Sequence, residues 1–212
     1  MMVTLIDVTL PIHEKMVIYP GDIPPSFVKE TNGAFNISRI VMSSHCGTHI
    51  DAPAHIGKET TVESIPLERL MCTTYVVAIY SQMQVNIPHI KKSGIKKNAG
   101  ILIKTGEGKY LAEGVLRDTH VYITEDVAKW LVYDREIKII GIDSLSVEPP
   151  DSSKIHTIFL NAGIPIIEGL YLEHVPEGRY QMFALPIKLL SLDAAPARVV
   201  LVPKPEERPI SI

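Results

Sequence analysis

Four side chains that can bind a metal ion or carry a proton occur within eleven residues in the first third of the chain. The run S-S-H-C-G-T-H-I-D-A-P-A-H, residues 43–55, places them at His45, His49, Asp51 and His55. All four positions are odd, and an extended chain sends alternate side chains to one face. A strand-like path would therefore point the four groups in the same direction.

A fully straight strand would hold the two leading histidines too far apart to share one ion. At roughly 3.3 Å per residue, His45 and His49 would stand about 13 Å apart. We therefore expect the chain to curl at Gly47 and again near Pro53, because glycine allows unusual backbone angles and proline restricts the residue before it. The same two residues disfavour a helix here.

The residue types in this run indicate a catalytic metal site. Two imidazoles and a carboxylate form an N/O ligand set that suits zinc, manganese or ferrous iron, and three protein ligands leave positions open for water. The alternative is that these are ordinary histidines, since the chain contains eight. Three of the eight fall in this run with an aspartate in register, which favours metal binding. Cys46 has the opposite parity and is predicted to be a small buried side chain.

The composition predicts an ordinary globular protein with one sizeable core. The chain has 212 residues, of which 46% are hydrophobic and 21% charged, values typical of a single folded domain. A net charge of −3 with mixed signs argues against a nucleic-acid partner. No apolar run approaches the roughly 18 residues of a membrane helix, and no leader is evident. With two cysteines and no disulfide framework, we expect a cytoplasmic protein, with residues 1–212 as one domain and no membrane partner.

The rest of the sequence predicts a mixed α/β fold. Residues 74–80 and 100–104 are continuous β-branched and apolar runs typical of buried strands. One helix is predicted to begin after Thr124, an N-cap candidate, and another to run from the residues near Asp151 to Gly163. The other predicted strands are residues 3–10, 36–43, 137–142, 164–167, 180–185 and 199–202.

The second half offers two further candidates for the metal site, His156 and Glu168. Twelve residues separate them, and a helix, a tight turn and a strand over that length would bring the chain back on itself. Glu168 follows the apolar run I-P-I-I, where a carboxylate is costly to bury without a cation or hydrogen-bond donors. The alternative is a helix-capping histidine and a strand-end glutamate facing water, and the residues alone leave both interpretations open.

The run H-C-G-T-H-I-D-A-P-A-H resembles the HxGTHxDxPxH signature of the cyclase family of metal-dependent hydrolases, whose best-known members are bacterial kynurenine formamidases. Further runs share the resemblance, in order along nearly the whole chain. They are Y-P-G-D, G-I-D-S-L-S-V-E-P, the pair of His156 with E-G-L, V-P-E-G-x-Y, A-L-P-I-K-L and L-D-A-A-P-A-R.

This resemblance implies a β-barrel-like sheet with helices outside, of the swivelling β/β/α type, in a homodimer or higher homo-oligomer. It also implies two divalent metal ions per subunit, usually zinc, with manganese as the other candidate. Asp51 would bridge the two ions, Glu168 would touch both, and His55 would donate and accept protons rather than bind metal. Carried over by position, the ion ligands would be His45, His49, Asp51, His156 and Glu168.

The activity implied by the resemblance is hydrolysis of a small-molecule amide, most directly N-formyl-L-kynurenine to kynurenine and formate. Tyr19 stands where formamidases typically carry tryptophan, in a loop expected to stack on an aryl ring. Residues 192–196, L-D-A-A-P, lack the serine of the family's L-D-A-S-P. These departures leave a second substrate class open, cyclic amides such as isatin. A structural metal-binding protein is the non-enzymatic alternative, although a scaffold would have no need of His55.

Overall fold

A sheet that closes on itself forms the centre of the computed structural model, which describes residues 4–80 and 83–204. Twelve strands are present in those ranges. They are β1 (Ile6–Asp7), β2 (Ser26–Asn32), β3 (Phe35–Val41), β4 (His49–Asp51), β5 (Thr73–Ala78), β6 (Gln84–Val85), β7 (Gly100–Lys104), β8 (Tyr122–Ile123), β9 (Ile140–Ile142), β10 (Ile166–Glu168), β11 (Gly178–Pro186) and β12 (Ala194–Pro203).

The helices are short and connect the strands. None of them, in the ranges that the structure describes, is long and apolar enough to cross a membrane. The α-helices are α1 (Leu67–Leu70), α2 (Ile87–Ile90), α3 (Gly108–Ala112), α4 (Glu125–Lys129) and α5 (Lys154–Asn161). Three 3-10 turns lie at Pro53–Ile56, Val62–Ser64 and Lys91–Ser93, and a π-helical turn at Trp130–Asp134.

Seven strands form the closed ring, in the order β12, β11, β5, β7, β9, β10, β4 and back to β12. The long strand β12 closes it, because residues 194–196 pair with β4 while residues 197–203 pair with β11. Strands β5, β7, β9 and β10 are mutually parallel, and the remaining contacts are antiparallel. A mixed α/β fold with a barrel-like sheet and outer helices was expected from the sequence and is confirmed.

Two apolar clusters share the barrel wall. Along β7, Leu102 belongs to the cluster that also contains the inward side chains of β4 and β12, whereas Ile101 and Ile103 pack with residues of α4 and α5. The alternation follows the two-residue period of a strand. Strand β7 is buried on both faces, as predicted. This explains why its residues before Lys104 are all non-polar.

Other predicted elements are found with altered ends. The strand expected at residues 3–10 is reduced to Ile6–Asp7, and Val3 lies outside the described residues. Thr124 is the N-cap of α4, as predicted, but the helix widens into the π-helical turn, where the amide of Arg135 donates to the carbonyl oxygen of Trp130 at 3.1 Å. Strand β9 covers only the end of the predicted 137–142 segment.

The hairpin of β2 and β3 stands apart from the barrel. Among residues 4–80 and 83–204, its strands pair only with each other, and nearly all of their side chains are exposed. Strand β3 was predicted, but β2 was not, because S-F-V-K-E-T-N mixes polar and apolar residues without a clear boundary. One face of this hairpin carries the exposed apolar side chains Val28, Phe35, Ile37 and Val41, together with the charged Glu30 and Arg39.

Gly141 lies where the barrel wall is packed too tightly for a larger side chain. A β-carbon there would lie 2.5 Å from Leu102 Cδ2 and 2.9 Å from Leu170 Cδ1. We expect Gly141→Ala to lower the free energy of unfolding by about 1–3 kcal/mol through overpacking, measured by urea denaturation. Leu102→Val removes the nearest clashing atom, so the double variant should lose less than the sum of the two single losses. Strictly additive losses would contradict this packing.

Candidate metal centre

Strand β4 holds the middle of the predicted signature and lies between two partners from the C-terminal half. On one side it pairs with β10, so that Glu168 stands opposite His49. On the other it pairs with β12, where Ala194 stands opposite Asp51. The amide of Ala52 donates to the carbonyl oxygen of Asp193 at 2.8 Å, which places that aspartate beside the signature. Register therefore brings together groups more than one hundred residues apart.

The signature run curls at the two positions expected from its sequence. Gly47 adopts a left-handed φ of +67°, and Pro53 begins a 3-10 turn. The ring centroids of His45 and His49 consequently lie 4.9 Å apart. Gly169, with φ +66°, lets the chain after Glu168 pass close to this bend, because a β-carbon there would lie 2.7 Å from the carbonyl oxygen of Gly47.

Three of the signature side chains converge on one point. His45 Nδ1 lies 3.0 Å from Asp51 Oδ1, and His49 Nε2 lies 3.4 Å from the same oxygen. One potential ligand atom from each of the three residues falls within 4.8 Å of the others. The arrangement can hold one metal ion with two nitrogens and one oxygen.

The other oxygen of Asp51 faces a second group of potential ligands. His156 Nε2 lies 3.6 Å from Asp51 Oδ2 and 3.3 Å from Glu168 Oε1, and these three residues again offer atoms within 4.8 Å. His49 Nε2 is 3.8 Å from Glu168 Oε2, which joins the two groups. The structure thus brings together all five predicted ion ligands, and Asp51 is common to both groups.

The polar atoms around Asp51 form a site that suits a bound cation. Asp51 is fully buried, and within the described ranges no backbone or hydroxyl group donates to its oxygens, which face the nitrogens of His45, His49 and His156. A buried carboxylate in that condition is costly unless a cation neutralises it. Metal ions bound at the two ligand groups would neutralise this carboxylate and occupy the lone pairs that face it. The N/O donor set suits zinc or manganese, so the residues present fit the expected metal.

The second nitrogens of two imidazoles are held by acceptors, which turns the other nitrogen toward Asp51. His49 Nδ1 lies 2.9 Å from the carbonyl oxygen of Gly47, and His156 Nδ1 lies 3.4 Å from Glu148 Oε1. Metal-binding histidines usually donate their second N–H in this way, which fixes the tautomer. In the neutral form of each ring, Nε2 would therefore carry the lone pair available to an ion.

The run G-I-D-S-L-S-V-E-P belongs to this centre, although sequence reasoning assigned it no role. Besides its contact with the His156 ring, Glu148 accepts a hydrogen bond from the His156 amide at 2.8 Å. Ser146 Oγ and the amide of Val147 donate to Glu168 Oε1 at 3.0 and 2.7 Å. These contacts hold the second group in place. The family resemblance of the run was the only sequence signal for it.

Asp193 is the other residue that sequence reasoning missed. Its Oδ2 lies 2.9 Å from His45 Nε2 and 3.2 Å from His55 Nδ1. The L-D-A-A-P run that contains it was noted for its resemblance, but spacing alone gives no reason to place it beside residues almost 150 positions earlier.

His55 and Tyr19 both line a cavity of about 300 Å³ that opens beside the two groups. The His55 side chain is 35% exposed, and its ring centroid lies 4.4 Å from that of His45 and 5.5 Å from that of His156. Tyr19 is 44% exposed. The rest of the wall is largely apolar and includes Leu10, Met16, Val17, Ile18, Leu111 and Leu145. Cys46 is buried behind it, as predicted.

The carboxylates control the charge of the surrounding histidines. Burial lowers the pKa of His45, but the nearby Asp51 and Asp193 outweigh burial and raise it to about 9. Burial likewise opposes a charged His156, but Asp51, Glu148 and Glu168 raise its pKa to about 12. Burial favours protonation of Asp51, yet the charge of His49 and the approach of His156 and His45 hold its pKa well below the usual range.

These shifts predict that metal binding releases protons. With both pKa values above 7, His45 and His156 hold protons in the metal-free protein at neutral pH, and an ion must displace them. The affinity for Zn²⁺ should therefore increase as the pH rises toward 9. The stabilisation that His45 gives the metal-free fold is complete below its ordinary value of 6.5 and is lost as the pH rises through about 9.

Isothermal titration calorimetry of the metal-free protein with Zn²⁺, in buffers of different ionisation enthalpy, would measure this release. His89→Asn changes an exposed histidine away from the centre and should leave the proton count unchanged. Zinc binding without proton release at neutral pH would contradict the charge states described here.

Comparison with known proteins gives relatives over nearly the full chain. A family model described as a putative cyclase matches residues 6–149. A kynurenine formamidase of Geobacillus thermodenitrificans is 32% identical over 208 residues, covering 95% of this chain and 98% of the relative. A solved structure described as a potential metal-dependent hydrolase with cyclase activity superposes with a TM-score of 0.84 at 36% identity, over 96% of this chain and 100% of the other.

A more distant structure shows the same fold. Isatin hydrolase A from Labrenzia aggregata, bound to benzyl benzoate, superposes with a TM-score of 0.84 over 95% of this chain and 94% of the other, at 19% identity. The similarity at that identity concerns the fold alone.

Proposed function

This chain belongs to the cyclase family, and we propose that it is a metal-dependent hydrolase of small-molecule amides. The observation that carries the proposal is the pair of ligand groups that share the buried Asp51 beside a half-exposed His55. Groups able to hold two ions and a separate proton carrier meet at the wall of one cavity. A structural metal protein would need neither the cavity nor the proton carrier.

We infer two divalent ions per subunit, zinc or manganese. His45, His49 and Asp51 would hold the first, and Asp51, His156 and Glu168 the second. Such ions lower the pKa of a water molecule and polarise the carbonyl of the scissile amide. The protein's part is to keep the ligands ionised and oriented, which the contacts of Glu148, Ser146 and the Gly47 carbonyl support.

His55 would carry the proton. Its Nδ1 faces Asp193 at 3.2 Å, which leaves Nε2 as the atom able to exchange protons, and the residue lines the cavity. An imidazole can accept the proton of the attacking water and return it to the departing amine near neutral pH. Its partial exposure separates it from the five buried or half-buried residues proposed to bind the ions.

The cavity supports an aromatic or otherwise apolar substrate. A volume of about 300 Å³ admits a small molecule, and Tyr19 offers a ring that can stack on an aryl group. N-formyl-L-kynurenine is the first candidate, because the relatives at about 30% identity are kynurenine formamidases. Hydrolysis of its formamide would give kynurenine and formate.

A cyclic amide such as isatin is the second candidate, and the charge of the cavity favours it. Among the described residues, the lining contains no lysine or arginine. Its basic side chains are histidines, namely the three proposed ion ligands, His55 and His13. The amino-acid carboxylate of formylkynurenine would therefore find no lysine or arginine partner in the lining, whereas neutral isatin needs none. The tyrosine at position 19 in place of tryptophan points the same way.

The purified protein should be assayed with N-formyl-L-kynurenine and with isatin, while its metal content is determined in parallel. We expect hydrolysis of at least one of them at two ions per chain. His45→Ala and Asp51→Ala should lose both metal and activity. His55→Ala should keep the metal and lose about 10²- to 10⁴-fold in kcat, the usual contribution of acid–base catalysis.

His89→Ala serves as the control for loss of a histidine outside the centre. An Asp51→Ala protein with full metal occupancy would contradict the ligand assignment. Turnover undiminished in His55→Ala would contradict its role. Metal without hydrolysis of either substrate would move the search to other small acyl amides.

We further propose that residues 1–212 act as one domain in a homodimer. The barrel spans from β1 to β12, with its closing strand near the C-terminus. The hairpin of β2 and β3 supports the dimer, because an isolated two-stranded hairpin is marginally stable in water and its apolar face is uncovered by described residues. A second copy of the chain would cover the apolar side chains of that face.

Ile37→Asp should shift the protein toward the monomer, because it replaces an exposed apolar side chain with a carboxylate opposite Glu30 and so adds like charge to that face. Light scattering coupled to size-exclusion chromatography would measure this. Ser38→Asp adds the same charge on the opposite face of the same strand and should leave the dimer intact. A wild-type monomer, or a dimer that persists unchanged in Ile37→Asp, would contradict the proposal.

A further inference from the structure

Asp193 touches two histidines with different proposed roles. Its Oδ2 lies 2.9 Å from Nε2 of His45 and 3.2 Å from Nδ1 of His55. His45 is a proposed ligand of the first ion, whereas His55 is the proposed proton carrier. Asp193 itself belongs to neither of the two ligand groups built on Asp51.

The Asp193 carboxylate is held in a defined orientation. Ser44 Oγ donates to Asp193 Oδ1 at 3.1 Å. The backbone carbonyl oxygen of Asp193 accepts a hydrogen bond from the amide of Ala52 at 2.8 Å. The residue immediately precedes β12, whose pairing with β4 places it beside the signature run. One oxygen is thus occupied by a hydroxyl, and the other is left for the two imidazoles.

Once an ion occupies the nitrogen of His45 that faces Asp51, the contacts of Asp193 Oδ2 favour one tautomer of each neutral ring, because a carboxylate oxygen accepts hydrogen bonds and cannot donate them. A neutral imidazole has one N–H and one lone pair. If His45 donates from Nε2, its lone pair lies on Nδ1, the atom 3.0 Å from Asp51 Oδ1. If His55 donates from Nδ1, its lone pair lies on Nε2. A carboxylate oxygen can accept both bonds, so the two tautomers are compatible.

We propose that Asp193 is a positioning residue that sets the tautomers of His45 and His55 together, and so couples the first ion to the proton carrier. The inference rests on the proposed function, which assigns those two roles. A carboxylate behind a metal-binding histidine is a common arrangement. The added feature here is that the same oxygen also orients a second histidine that faces the cavity.

A third metal ion on the same atoms is the competing interpretation. His45, His55 and Asp193 also offer ligand atoms within 4.8 Å of one another. For such an ion His45 would bind through Nε2 while Nδ1 serves the first ion, which requires an imidazolate, a ring with no proton on either nitrogen. Hydrogen bonding needs only neutral rings, and the distances of 2.9 and 3.2 Å are those of hydrogen bonds. The geometry therefore favours positioning.

Asp193→Ala in the full-length metal-loaded protein is the direct test. Apparent Zn²⁺ affinity, measured by competition with a chromogenic chelator, should fall about 10- to 100-fold. For the substrate that the wild type hydrolyses, kcat should fall by a similar factor of about 10 to 100 with KM little changed. In nitrogen-15 spectra of the imidazoles, the His55 ring should change from the Nδ1–H toward the Nε2–H tautomer.

Two further variants make the result specific. Ser44→Ala removes only the hydroxyl that orients the carboxylate, so it should produce a smaller change in the same three measurements even if Asp193→Ala folds poorly. Glu63→Gln is the matched control, because Glu63 accepts a hydrogen bond from the amide of Ser191 at 3.0 Å and thereby braces the same segment without touching a histidine. It should change none of the three measurements.

The outcomes separate this inference from the proposed function. Unchanged zinc affinity and an unchanged His55 tautomer in Asp193→Ala would overturn the positioning role, whatever the enzyme hydrolyses. A wild-type stoichiometry of three ions that falls to two in Asp193→Ala would also overturn it, in favour of the third ion. Loss of affinity and a changed tautomer in a protein without amide hydrolysis would leave Asp193 as positioned here and refute the hydrolase assignment instead.

Discussion

The buried charge of Asp51 is the constraint on which the rest of the centre depends. Its carboxylate is fully buried, receives no backbone or hydroxyl hydrogen bond in the described part of the chain, and is surrounded by three histidines. Isolated carboxylates are not stable in such surroundings, because burial removes their hydration. Imidazolium groups can compensate for the charge in the metal-free protein, and metal ions would do so in the proposed enzyme. The same carboxylate therefore connects the stability of the centre with its chemistry.

The closed barrel positions this charge. Strand β4 is only three residues long, yet it is paired on both edges, by β10 and by β12. A slip of one residue in either pairing would turn the facing side chains to the other side of the sheet. The fold thus aligns Glu168 with His49 on one edge and brings Asp193 beside Asp51 on the other. The tight backbone approach at Gly47 and Gly169 keeps those strands close enough for their side chains to meet.

The exposure of the side chains in this centre increases from the barrel interior to the cavity. Asp51 lies deepest, the proposed ion ligands around it are buried or half-buried, and His55 is at the cavity wall with about a third of its side chain exposed. Each proposed metal-binding imidazole has its second nitrogen close to an acceptor, which is Asp193, the Gly47 carbonyl or Glu148. The result is a site whose ion-facing atoms are fixed before any ligand arrives, while the proton carrier remains accessible to a substrate.

Local sequence determined the parts of this protein that depend on short-range geometry. The odd spacing of His45, His49 and Asp51, with a bend at Gly47, was sufficient to predict that their side chains converge, and the apolar run at residues 100–104 predicted β7 to the residue. The roles of His156 and Glu168 came from the family resemblance, and those of Asp193 and Glu148 were missed. The exposed strand β2 was missed as well, because its polar and apolar residues do not alternate with the two-residue period of a strand. Only the tertiary structure decided which distant carboxylates face which histidines. Strand register and barrel closure join residues more than one hundred positions apart, and no spacing within either segment encodes that pairing.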